Sequence, residues 1–425
     1  MNSKEGALTK LFINSEQNSY YIKPTKKDTD EFNYDRFDVI TLSGLLGTIK
    51  ALPSLLWKPD PRISDKDLTN LIWNTSASKI LSQNFESINL SKYSTYSTVN
   101  GCYTYGTTAN FDYKSSSNLK FKNIIVNNSD ETKTFYPTDG GFWELAKLYL
   151  LKNMINETVV KNHVGEMHTS VELVGYSIKE HFNENHPIYL LLKPHVRFIN
   201  ALATFLIDIT PNHGEVPFDL NLLSIGNINL DGQKILAKRD FLSLDYLPNS
   251  GYIQMLKAYL PAIQKVVVHV LDKYCDVINY KNNAIHQWYN SLSKYFSLTK
   301  LTEHNFKSNI TNLLVNTIFV ATFLHSGDHF IGAYVQKPGT FIFRIREKFS
   351  DKINFSNVEW KVDILQKYVF QNGFSNRAPK TNMLQLSYGD LVEKHVQQNF
   401  LDEIILITKN YPQMDLKHIS ACIDN

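Results

Sequence analysis

From Asp139-Gly140-Gly141 onward, apolar side chains recur every three or four residues, a habit that the chain before this point lacks. Over 142–182 the series runs Leu145, Leu148, Tyr149, Leu151, Met154, Ile155, Val159 and Val160, the period of a helix with a buried face. His186-Pro187 interrupts the pattern, because proline disfavours helix at the residue before it. The spacing predicts a new helix from there through Leu191, Val196, Ile199, Leu202 and Leu206. Residues 209–250 carry Pro211, Pro217, Gly226, Gly232 and Pro248 and predict a long loop with short elements. Apolar helices are expected over 251–279 and 310–325, an amphipathic one around Trp288, and a last one over 385–409. No strand–helix–strand alternation appears, so the expected fold is mainly α.

The front of the chain differs. Two apolar stretches, 37–57 and 68–81, lie among Asn, Ser and Lys, and 94–135 is rich in Tyr, Thr, Phe and Asn without helical period, which predicts short strands and turns. We expect 1–135 to form a cap on a helical core spanning 136–425.

Composition excludes several classes. With 43% hydrophobic and 20% charged residues the chain can bury a large core, so wholesale disorder is out. A net charge of +3 on 425 residues gives no footprint for nucleic acid. Cys102, Cys275 and Cys422 cannot build a disulfide framework and lack paired metal-ligand spacing, which points to a reducing compartment. The first twelve residues show no secretory signal, and no uncharged apolar stretch approaches the roughly 20 residues that span a bilayer. The expectation is a soluble, cytoplasmic protein.

Histidine is the informative residue. Four of the 13 lie in two close pairs on predicted buried helices: His163 with His168, and His325 with His329. A single buried histidine is usually a hydrogen-bonded core residue, but two pairs on two helices call for a shared reason. His325 and His329 are four apart and share a face of an α-helix. His163 and His168 are five apart and diverge in a regular helix, so they converge only if the helix widens, as at a π-bulge, with Gly165 easing the distortion; otherwise they face different neighbours. His163-Val-Gly-Glu166-Met-His168 has one residue too many for a zinc metalloprotease helix. An imidazole set suits redox-active iron better.

At these residues the chain resembles the lipoxygenases. Trp143, Ala146 and Lys147 match the family's Trp-x-x-Ala-Lys, and His163 lies twenty residues after the tryptophan, as the first iron ligand does. His168 follows five later and Glu172 four after that. His186-Pro187 and Leu191-Leu192-Lys193-Pro194-His195-Val196-Arg197 continue the match. A shorter second match places His325 at the end of an apolar helix with His329 four residues on, as the third and fourth ligands. The family's N-terminal β-barrel domain has no room here. The chain departs from the pattern at Val159, where the family has glutamine, at Thr158, where histidine is common, and at its end, which reads Ile423-Asp424-Asn425 rather than closing on isoleucine.

The resemblance implies a non-heme iron dioxygenase, with manganese as the alternative metal. The implied metal ligands are His163, His168, His325, His329 and the terminal carboxylate of Asn425, or the Asp424 side chain in its place. Glu172 is expected behind the ligands, orienting an imidazole, while Trp143, Ala146, Lys147, His195 and Arg197 are scaffold. The implied reaction is removal of a bis-allylic hydrogen of a polyunsaturated fatty acid by ferric hydroxide, then O₂ addition to give a hydroperoxide. Peripheral membrane contact is compatible with such a lipid partner. The rivals are an enzyme acting on a fatty-acid hydroperoxide or another unsaturated small molecule, and a redox-silent lipid-binding protein.

Overall fold

The structure, a computed structural model, describes residues 62–96, 103–113, 119–158, 162–163, 167, 169–196, 247–329, 345, 347–350, 382–411, 414, 416 and 419–422, with backbone alone at Thr169 and His329. The expected loop over 209–246, the stretch 37–57, Gly165 and Cys102 lie outside these residues.

The first helix, α1 (Asp65–Asn74), starts where Ser64 accepts the Asp67 amide at 3.1 Å, a serine cap on an exposed donor. Four strands follow: β1 (Ser87–Leu90), β2 (Gly106–Tyr113), β3 (Leu119–Asn127) and β4 (Thr132–Phe135). They pair antiparallel in chain order, so the Tyr/Thr-rich segment is a meander of strands and turns. A bulge opposite Asn110 and Phe111 moves the buried set of β3 from Leu119 and Phe121 to Ile124 and Val126, re-aiming the strand by one residue. Gly106 is required where β2 crosses the turn before it, since a Cβ there would lie 2.1 Å from the Ser91 carbonyl oxygen.

Helix α2 (Gly141–Ile155) is apolar on every side and is buried between this sheet and the rest of the chain. Its few polar residues tie it to the front. Trp143 Nε1 and Lys147 Nζ both donate to Asp65 Oδ1, at 2.9 and 2.8 Å, and Lys147 also reaches the Ile63 carbonyl at 2.6 Å. Lys152 and Asn153 donate to the carbonyls of Tyr103 and Tyr105. The Trp-x-x-Ala-Lys motif is therefore a clamp on the start of α1.

A second core gathers α3 (Thr169–His181), α4 (Pro187–Leu192), α5 (Gly251–Lys257), α6 (Leu260–Lys273), α7 (Asn283–Leu292), α8 (Phe306–Phe319) and α10 (Lys394–Asn410). His186 caps α4 by accepting the Ile188 amide at 3.2 Å, and Pro187 fills the first helical position, where its missing N–H is no loss. The helix expected over 251–279 is in fact two, because Pro261 opens α6 and cannot continue α5. The Trp288 indole donates to Ser177 Oγ at 3.0 Å, locking α7 on α3. The Tyr259 hydroxyl meets Thr408 Oγ1 at 2.9 Å, joining α6 to α10. Mainly α is the fold observed, with the mixed portion at the front.

The last buried helix is longer than expected. Phe306–Asp328 forms 23 helical residues with mean hydropathy 1.3, long and apolar enough to cross a membrane by length and composition. Between Lys307 and Asp328 only uncharged polar residues such as Asn and Thr interrupt it, so a search for unbroken apolar runs undervalues it. In this fold 89% of its apolar window is buried inside protein, as in a core helix.

Candidate functional site

Two interrupted helices carry the histidines. Between α2 and α3 the backbone widens into π geometry, seen at 156–158, at 162–163 and at Met167. After α8 the same occurs over Val320–Leu324, and α9 (His325–His329) follows directly. The same side-chain bond occurs in both. Thr158 Oγ1 bonds the Met154 carbonyl at 2.8 Å, and Thr322 Oγ1 bonds the Ile318 carbonyl at 2.5 Å. Such a bond competes with the α ladder, yet Thr317 and Thr408 make the same bond to Leu313 and Ile404 in helices that stay regular, so it accompanies the widening without being sufficient for it. A widened helix, one of the two readings left open by the five-residue histidine spacing, is observed around His163.

His163 and His325 come together. Their rings lie 4.9 Å apart at 25°, and they are 2% and 0% exposed. Two imidazoles meeting one ion at roughly 2 Å and near a right angle have ring centres roughly 4.5–5 Å apart. The observed pair fits a shared transition metal. The His168 residue, the His329 side chain, Asp424 and Asn425 lie outside the described residues, and among the described residues no group of three or more His, Cys, Asp or Glu side chains gathers as a metal cluster.

Behind His163 lies a carboxylate that sequence reasoning missed. Asp328, 2% exposed, has Oδ2 at 3.3 Å from His163 Nδ1 and 2.7 Å from Lys79 Nζ, while Oδ1 accepts the Tyr252 hydroxyl at 2.5 Å. Burial, and then the neighbouring carboxylate, push the Tyr252 phenol up, so it stays a donor. Gly327 permits the approach: a Cβ there would fall 2.9 Å from Tyr252 Oη. The available signal was an aspartate between two histidines on an otherwise apolar helix.

Glu172 is partly enclosed on the first turn of α3, and burial pushes its carboxyl up to about 8, so it holds a proton near neutral pH. Its expected contact with His168 lies outside the described residues. His195 is scaffold as read from sequence: Nδ1 donates to the Ala421 carbonyl at 2.8 Å and Nε2 accepts from the Tyr388 hydroxyl at 2.9 Å. Burial lowers its imidazole to about 4. Arg197 lies outside the described residues.

Residues 101–209 match the lipoxygenase family model. No curated protein matches the chain. Solved structures share its fold. A LOX variant crystallised anaerobically in complex with arachidonate superposes with TM-score 0.71 at 13% identity, over 95% of this chain and 74% of its own. A 9R-lipoxygenase from Cyanothece PCC8801 gives TM-score 0.71 at 14% identity, over 92% and 72%. The coral 8R-lipoxygenase gives 0.69 at 14% identity, over 94% and 74%.

Proposed function

For a chain that is lipoxygenase-like in sequence over 101–209 and in fold over nearly its whole length, we propose a fatty-acid dioxygenase that holds a single non-heme iron, or manganese in its place. The observation that carries this reading is the buried ring pair of His163 and His325, donated by helices 162 residues apart in sequence. His168, His329 and a carboxylate from Asn425 or Asp424 complete the proposed ligand set.

The metal, when bound, supplies the one-electron chemistry that starts oxygenation of a polyunsaturated acid. The chain's own residues prepare for it. His163 faces Asp328 with Nδ1 and so offers Nε2 as the ligand atom. Val320, Ala321, Phe323 and Leu324, the residues just before His325 on its helix, are all buried and apolar, a dry setting for the ring. The Ser420 amide bonds Ser326 Oγ at 3.0 Å, bringing Ser420 alongside the His325 helix. A carboxylate that follows within five residues is in reach of the same centre.

One observation favours the second reading, an enzyme acting on a fatty-acid hydroperoxide. Thr158 stands where the family commonly has histidine, and its hydroxyl is engaged with its own helix rather than with a substrate. The protein is taken to work in the cytoplasm on a lipid, with contact to a membrane surface at most.

Elemental analysis and incubation with a linoleate-type acid test both readings. Near-stoichiometric iron or manganese and an O₂-dependent conjugated diene are expected. Metal-free protein that forms no diene overturns the enzyme reading, and turnover of hydroperoxide without O₂ selects the second.

A further inference from the structure

We propose that Asp328 is the positioning carboxylate of His163, held in place by Lys79 and Tyr252, and that it fixes the imidazole in the tautomer that presents Nε2 to a metal. This rests on the metal-binding part of the function proposed above.

Four distant stretches of chain converge on this carboxylate: the 3₁₀ turn Ser76–Ile80 through Lys79, the widened segment through His163, α5 through Tyr252, and α9 itself. Lys79 and Asp328 are 8% and 2% exposed at their side chains. Burying such a pair costs desolvation that an apolar pair of the same volume would avoid, so stability alone does not account for it.

The donor count explains the arrangement. Lys79 and the Tyr252 hydroxyl can only donate here, and together they take one lone pair on each carboxylate oxygen. The remaining capacity of Oδ2 faces His163 Nδ1, and an ionised carboxylate oxygen paired with an ammonium carries no proton to give, so it accepts an N–H there. The proton of a neutral His163 therefore belongs on Nδ1, and its Nε2 lone pair is free of that proton. The Lys79 ammonium offsets the carboxylate charge, so Asp328 orients the ring without adding net negative charge behind it. A carboxylate in this relation to a ligand imidazole sets its ring angle and raises its basicity.

The test uses full-length chain with ¹⁵N-labelled histidine, stripped of metal by chelator, with His163 assigned through His163→Gln. Long-range ¹H–¹⁵N correlation at neutral pH should show His163 protonated at Nδ1. Cobalt(II) titration should then show roughly 10- to 100-fold weaker binding for Asp328→Asn and a smaller loss for Tyr252→Phe, with helical circular dichroism unchanged. A His163 protonated at Nε2 in the parent chain overturns the inference, and needs no variant to fold. Unchanged cobalt affinity in Asp328→Asn overturns it as well. If the parent chain shows the Nδ1 tautomer but takes up no cobalt, iron or manganese, the metal reading fails while the Asp328–His163 relation stands.

Discussion

Ser420 donates its amide to Ser326 Oγ, one residue past His325, so the chain at residue 420 is fastened to the helix that carries a proposed ligand. Ser420 also turns its own hydroxyl onto the Cys422 carbonyl at 2.6 Å, and the Ala421 carbonyl accepts from His195 at 2.8 Å. Three bonds thus hold residues 420–422 before the chain reaches Asp424 and Asn425. Deleting residues 423–425 should lower metal content and turnover while shifting the unfolding midpoint little. Full activity in that truncation would remove the C-terminal carboxylate from the ligand set.

Removing a ligand should empty the site without unfolding the protein. His168→Ala and His325→Ala are each expected to abolish iron or manganese occupancy by elemental analysis, with helical content retained. Stoichiometric metal in either variant would take that residue out of the proposed set.

Acid should weaken this fold through two buried imidazoles. Burial lowers both His186 and His195 to about 4, whereas in the unfolded chain each titrates near 6.5. The unfolded state then binds more protons between these values, so stability is fully present above pH 6.5 and is lost as pH falls towards 4. The loss is about 3 kcal/mol for His195 at the acid end, and less for His186, which lies nearer solvent. Urea midpoints at pH 7 and pH 5 should differ in the parent chain and differ less in His195→Gln.

The clamp on α1 should matter for stability rather than turnover. Lys147 is 2% exposed and shares Asp65 with the Trp143 indole. Asp65→Ala leaves a buried ammonium with the Ile63 carbonyl and Glu144, the latter at 2.8 Å. We expect a loss of about 2 kcal/mol, below the usual range for a broken buried pair because Asp65 is itself 40% exposed. Denaturant unfolding measures it; a change under 0.5 kcal/mol, roughly the scale of an ordinary surface substitution, would show the clamp to be incidental.

Gly327→Ala tests the seat of Tyr252. Alanine is about 1 kcal/mol the better helix former, yet its Cβ would meet Tyr252 Oη at 2.9 Å and Leu256 Cδ2 at 3.1 Å. The collision should win, giving a net loss of about 1–2 kcal/mol in denaturant unfolding. A stabilised variant would mean that Tyr252 moves aside at no cost.

Local physics was legible in the chain. The 3.6-residue period from 142 onward marks real helices, His186-Pro187 marks a real helix start, and the Tyr/Thr-rich front makes strands. The five-residue gap between His163 and His168 left two readings open, a widened helix or rings that face different neighbours. Spacing could not choose between them; the π geometry seen at 162–163 and Met167 is a product of the packed helix.

What tertiary structure alone decided is which distant groups meet. Periodicity reports the face of a helix that is buried, never its neighbour. Nothing near Asp328 in sequence names Lys79, 249 residues earlier, or Tyr252, 76 residues earlier, as its partners. A buried carboxylate must find donors, and packing of α5 and the Ser76–Ile80 turn against α9 supplies them. The sequence by itself determined the helices, their buried faces and the histidines they bear; packing chose the company that His163 keeps.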